Sequence, residues 1–130
     1  VTAVEYIEAS GVPESMWPNF REWYSWFERS NLVGVVKNSK DEIAGVALFR
    51  MIYDGEDPVP YAHHEDGDDV FIDLTVTSID GKPTSQSKIA LKRLLCILLD
   101  NVGPKRKIIF NRSGKHRSYD YMKFMRKVLK

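Results

Sequence analysis

The pattern of apolar runs predicts an α+β fold: a mixed, mainly antiparallel sheet with helices on both faces. Three observations carry this. Two β-rich runs, Leu32–Lys37 and Ile43–Tyr53, are joined by Asn38–Asp41, a turn-forming connection short enough to imply an antiparallel hairpin. Further on, Val70–Thr77 reads as a strand, Lys88–Asn101 as a helix and Lys107–Phe110 as a strand. Strand–helix–strand implies a right-handed crossover and parallel pairing of the two strands. Finally, the N-terminal third carries an aromatic stripe at helical spacing, a face suited to lie on such a sheet.

The elements follow in order. Pro13 suits the first turn of a helix, with Glu14 favourable at its positive end. Met16, Phe20, Trp23, Tyr24 and Phe27 then recur at three- and four-residue steps, predicting one helix with an apolar face. Such a stripe packs in a core; exposed rings would instead offer nucleic acid a stacking platform. After the hairpin comes a long loop, residues 54–69, with Asp54, Glu56, Asp57, Glu65, Asp66, Asp68 and Asp69 and without Lys or Arg. Pro58, Pro60 and Gly67 discourage regular structure there, and long loops in small domains are commonly functional or mobile. Ile79–Ser87 is a polar connection in which Thr84 or Ser85 is placed to cap the next helix, which Gly103 and Pro104 end. Asn111–Ser118 reads as a polar connection, and Tyr119–Leu129 as a closing amphipathic helix.

The chain has 130 residues, the length of one domain, with 43% apolar and 28% charged residues. That balance excludes a disordered tail, a collagen and a disulfide-stapled miniature. The net charge of +1 conceals an asymmetry: residues 1–104 hold 9 basic and 17 acidic side chains, and residues 105–130 hold 10 basic and one acidic. The lone Cys96, inside the apolar stretch Ile89–Leu99, is expected to be a buried, inert thiol. The longest apolar run, Leu94 to Leu99, is too short to span a bilayer, and no signal-peptide pattern is visible, so the expectation is a cytoplasmic protein without membrane contact. The first residue is Val1, as in a processed or trimmed piece.

The element order over Pro13–Leu129 resembles the acyl-CoA N-acyltransferase (GNAT-type) superfamily. Leu74-Thr75-Val76 stands where that family ends its central strand on Leu-any-Val, and Asn111 where it often places an asparagine near the cofactor. The resemblance is divergent. The family's Arg/Gln-any-any-Gly-any-Gly/Ala loop, whose glycines admit a pyrophosphate at a helix start, is replaced by Gln86-Ser87-Lys88-Ile89-Ala90. The final strands are missing as well. The resemblance implies a single domain over 1–130 that transfers an acyl group from acetyl-CoA or another acyl-CoA to an amine. It implies cofactor contacts at Val76, Ser78, Gln86, Ser87, Lys88, Asn111 and Arg112. Asp73, or Asp69 at the start of the strand, takes the place of the base; Tyr119, with Tyr121 behind it, takes that of the acid. A pantetheine arm further requires that Val70–Thr77 and Lys107–Phe110 part at their C-terminal ends.

Each residue has a plainer reading. Asp73 on an alternating strand can point to solvent, and the acidic loop can pair with the basic end of the same molecule. The stretch His63-His64-Glu65-Asp66, followed by Asp68 and Asp69, lacks the spacing of a known metal site, so none is assigned. Two other function classes remain open. Residues 105–130 interleave cations with Tyr119, Tyr121 and Phe124, as a nucleic-acid-binding module does. The same fold can also serve as a non-catalytic interaction scaffold, of the kind viruses and mobile elements encode.

Overall fold

A computed structural model describes residues 1–78, 84–112 and 115–129, with Arg112 described by its backbone. It opens on a helix that the apolar pattern does not announce: α1, Ala3–Ser10. Its signature is Thr2-any-any-Glu5, a capping box in which each side chain bonds the other's backbone N–H. Gly11 closes α1 at φ 74°, a conformation natural only to glycine.

The aromatic stripe forms a helix, but a shorter one than expected. Pro13–Met16 is a 3-10 turn, and α2 spans Phe20–Arg29. Pro18 makes the break. It pushes Trp17 to an extended conformation (φ −66°, ψ 140°) and offers no N–H for a continuous ladder. Phe20, Trp23, Tyr24 and Phe27 are buried as expected, whereas Met16, beyond the break, is 79% exposed.

Five strands follow: β1 (Val33–Lys37), β2 (Ile43–Ile52), β3 (Asp69–Val76), β4 (Lys107–Arg112) and β5 (Lys115–Asp120), paired in that order. The β1–β2 hairpin is antiparallel and β3 pairs β4 in parallel, as the sequence predicts. The crossover is α3, Ser85–Val102, begun by a Thr84–Ser87 capping box and closed at Gly103. The expected polar connection Asn111–Ser118 is corrected: it belongs to an antiparallel hairpin of β4 and β5. All six β5 residues are exposed, so the strand carries no apolar alternation to reveal it. The closing helix α4 therefore begins at Tyr121 and runs to Val128, and Tyr119 lies on β5.

One sheet face carries α3. Leu94 packs over Gly34 and Gly45, two strand positions where the lack of a side chain lets the helix approach. Phe110 and Phe124 bring α4 to the same face. Alternate residues of β2 point the other way, toward α1, α2 and the acidic loop. Phe27, Ile7, Leu48, Phe49 and Tyr121 are among the largest fully buried side chains. Cys96 is exposed, correcting the expectation of a buried thiol: α3 turns Leu94, Leu95 and Leu98 inward, and Cys96 falls outside that stripe.

The acidic loop is tied down. Asp54 pairs with Arg106 and, at 3.8 Å, with Lys107, while Lys105 Nζ donates to Gly67 O at 2.8 Å. Gly67 itself lies against β2; a Cβ there would stand 2.7 Å from Ile52 N and 2.8 Å from Ile52 O. The run Lys105–Lys107 thus holds the loop.

Candidate functional site

β2 and β3 are largely apolar strands; β2 carries one cation, Arg50, and within Val70–Val76 of β3 the one charge is Asp73. Their register brings the two together. Phe49 pairs with Ile72 and Leu48 with Leu74, so Asp73 is the extra residue of a β-bulge. A bulge bends its strand and re-aims a side chain. Phe71 pairs Arg50, so alternation along β3 puts Asp73 on the face of Arg50, and the bulge keeps Leu74 on that face as well; Arg50 and Asp73 form a two-pronged ion pair, Nε to Oδ2 and Nη2 to Oδ1, each 2.9 Å. The side chains are 3% and 10% exposed, so Asp73 does not point to solvent.

Arg50 also ties the acidic loop across the sheet. Nη1 donates to Val59 O at 2.6 Å and Ala62 O at 3.1 Å, and Nη2 to Pro58 O at 3.2 Å. With the two bonds to Asp73, all five guanidinium N–H groups have acceptors. The Phe71 ring lies 5.3 Å from Arg50 Cζ. Burial pushes the Asp73 carboxyl up to about 6, against the opposing pull of Arg50. It is therefore a carboxylate at neutral pH with a value close enough to 7 to exchange a proton.

Beside this pair the sheet opens. β3 and β4 pair from Asp69/Lys107 to Ile72/Phe110 and no further. β3 continues to Val76 without that neighbour, and β4 continues beside β5. Among the described residues, the edge of β3 beyond Ile72 thus has backbone groups with no strand partner on the β4 side. A cavity of 1220 Å³ fills the split. Ile72, Asp73 and Thr75 form one lip, Phe110 and Asn111 the other. Leu91, Leu94, Leu95 and Leu98 of α3, with Phe124 and Val128 of α4, line it on one face; Glu14, Trp17, Trp23, Pro60 and Tyr61 line it on the other. A largely apolar cleft with a few converging polar groups is the form small-molecule sites take.

The residues singled out in sequence fall into three groups. Asp73 and Asn111 line the cavity, as do Leu74 and Thr75 of the Leu-Thr-Val motif. Val76 is buried in the core and does not line the cavity. Gln86 and Lys88 are exposed on the first turn of α3, Ser78 is half-buried after β3, and Arg112 ends β4. Ser87 is engaged inside the helix cap: its Oγ donates to Thr84 O at 2.8 Å and accepts from Thr84 N at 2.6 Å. Asp69 is buried at the far end of β3, about 13 Å from Asp73 along the strand. Its Oδ1 has no hydrogen bond among the described residues and lies 3.6 Å from Arg106 Nε. Burial raises its carboxyl, yet it does not line the cavity.

Tyr119 does not line the cavity either; it is 43% exposed and stacks on Phe110 and Phe124 at 5.7 and 5.5 Å. Tyr121 is fully buried, its hydroxyl without a partner among the described residues, and burial pushes it to about 12. The loop histidines bond inward, His63 Nδ1 accepting from Met51 N at 3.1 Å and His64 Nε2 meeting Glu56 Oε2 at 2.9 Å. Missed in sequence were Arg50 and the Glu14–Trp17 wall. The signal for Arg50 was present, since a lone cation in an apolar strand next to a lone carboxylate in another calls for pairing.

No family model matches the chain, and no curated protein matches it significantly. Among the described residues no helix is long and apolar enough to cross a membrane.

Proposed function

We propose that the protein is a GNAT-like N-acyltransferase that moves an acyl group from an acyl-CoA to an amine. The observation that carries this reading is the parting of β3 and β4 beyond Ile72, with the bulged Asp73 at the fork. The split suits a narrow pantetheine arm, whose amides find the unpartnered β3 backbone from Asp73 to Val76. The pyrophosphate end fits less well. The first turn of α3 bonds its own Thr84 and Ser87, leaving the remaining N–H groups and exposed Lys88.

Asp73 acts as the base. It takes a proton from the acceptor ammonium and returns it to solvent. The free nitrogen bonds the acyl carbon, the carbon–sulfur bond breaks, and the thiolate takes the second proton that nitrogen gives up. Arg50 holds the Asp73 carboxylate in place. Tyr119, outside the cavity, is left without the acid's role. Calorimetric titration with acetyl-CoA, followed by thiol release with added amines, tests the reading. Binding with turnover that Asp73→Asn abolishes supports it. No heat up to millimolar acetyl-CoA overturns it, and binding without turnover supports a non-catalytic scaffold.

A second reading has its own observation. Lys105–Lys107 engage the acidic loop, but Lys115, Arg117, Lys123 and Lys127 are exposed and form no ion pair with the described residues. These cations lie on β5 and α4, the two elements beside exposed Tyr119 in the chain, and suit a nucleic-acid strand. Affinity that falls steeply with salt, with a slope reduced in Lys115→Ala/Arg117→Ala, supports it; a flat salt response removes it.

A further inference from the structure

We propose that the outer mouth of the cavity binds a small organic cation, a primary ammonium on an apolar or aromatic body, with Glu14 as its anchor. The charges of the cavity point to this. Among the described residues, its charged lining side chains are Glu14, Arg50 and Asp73. Arg50 and Asp73 neutralise one another, and every Arg50 donor is engaged. Glu14 has no ion pair among the described residues. The described residues thus give the cavity one negative charge without a counter-ion among them, in a half-buried position where water screens it incompletely. Desolvation raises the Glu14 carboxyl, the expected response of a carboxylate that lacks its counter-ion.

The wall around Glu14 suits the rest of the ligand. Trp17 is 45% exposed and meets Trp23 edge to face at 5.2 Å. Tyr61 stands across the mouth with its ring 5.4 Å from Trp26. Tyr61 holds φ at 66°, a region that bulky residues rarely occupy. Strain of that kind is kept where the surroundings fix a side chain in place, and it clusters at ligand sites. Pro13 fixes the turn that presents Glu14. Indole and phenol faces attract cations and cover apolar groups, and a carboxylate among them selects an ammonium over a neutral isostere.

The inference goes beyond the acyl-transfer reading and does not rest on it: Glu14 holds the ammonium, and the binding needs no acyl-CoA. The test is calorimetric titration of the full chain with 2-phenylethylammonium at neutral pH and low salt, and with 2-phenylethanol as the neutral isostere. The ammonium is expected to bind at least about tenfold more tightly than the alcohol. Glu14→Gln is expected to remove that preference, and Trp17→Leu to weaken the ammonium about threefold. Trp17 is exposed enough for its variant to fold, which circular dichroism checks. No binding of the ammonium up to ~10 mM, equal binding of the two compounds, or an unchanged preference in Glu14→Gln would overturn the proposal. Acetyl-CoA is titrated separately. Ammonium binding without acetyl-CoA binding keeps this site and removes acyl transfer; the converse keeps the acyl-CoA slot and removes this site.

Discussion

Asp69 and Asp73 lie four residues apart on β3, turned to the same side of the sheet and both buried, yet their surroundings differ in kind. Asp69 belongs to the closed end of the strand, where β4 pairs it and the acidic loop is tied down by Lys105, Arg106 and Gly67. Asp73 belongs to the open end, where β4 has turned away and the residue, at a bulge, lines a cavity. Among the described residues, Asp69 is left with a bare oxygen, while Asp73 has both oxygens bonded by Arg50. The difference teaches that burial of a carboxylate alone does not mark a site. What marks the open end is a fixed partner, a neighbouring space and an unpaired backbone edge acting together.

The largest effect is expected where a charge is left without its partner. Arg50→Met strands Asp73 and removes three donors from the loop carbonyls, and is expected to cost about 3–5 kcal/mol in denaturant unfolding. Arg50→Met with Asp73→Leu removes both charges and is expected to recover most of that loss. A single variant that costs less than about 1 kcal/mol would show that the pair does not organise the open end.

The pH dependence comes next. Asp73 titrates near about 6 when folded, against an ordinary value of 3.8. The folded chain thus binds this proton more tightly than the unfolded chain does. The resulting stabilisation is complete below about pH 3.8 and disappears as pH rises through about 6. Wild-type stability minus that of Asp73→Asn should therefore fall across this window by on the order of 2–3 kcal/mol and stay level above it. A difference that rises with pH would mean that Arg50, and not burial, sets the carboxyl.

At the closed end, Gly67→Ala drives a methyl into the backbone of Ile52 and is expected to cost about 2 kcal/mol, read from the thermal midpoint. The smallest effect is expected from Asp69→Asn. It trades a buried charge with one bare oxygen for a neutral amide, and stability should change by less than about 1 kcal/mol. A larger loss there would erase the contrast between the two ends.

Much of this fold is legible in the sequence, because its information is local. The hairpin, the crossover helix with its Thr84 cap, and the parallel strand pair are written in apolar periodicity and turn residues. β5 is not, because a strand exposed on both faces has no alternation to read, and the sequence pattern therefore predicts a helix at Tyr119. α1 announces itself only through Thr2 and Glu5. The site is legible at Asp73 and Asn111 but not at Arg50, because pairing across β2 and β3 depends on a register that includes a bulge. The Glu14–Trp17 wall is hidden for another reason: it forms only when Pro18 breaks the aromatic helix and folds the 3-10 turn over the cavity mouth.

The split between β3 and β4 is the proposed place of ligand binding. Amide chemical shifts of the full chain, followed during titration with acetyl-CoA, test that most directly. Shifts are expected to concentrate at Asp73–Val76, Asn111 and the start of α3, and Thr75→Trp, which fills the slot from an exposed lip position, is expected to abolish them. Shifts centred on β5 and α4, unchanged in Thr75→Trp, or no shifts at all, would contradict this placement.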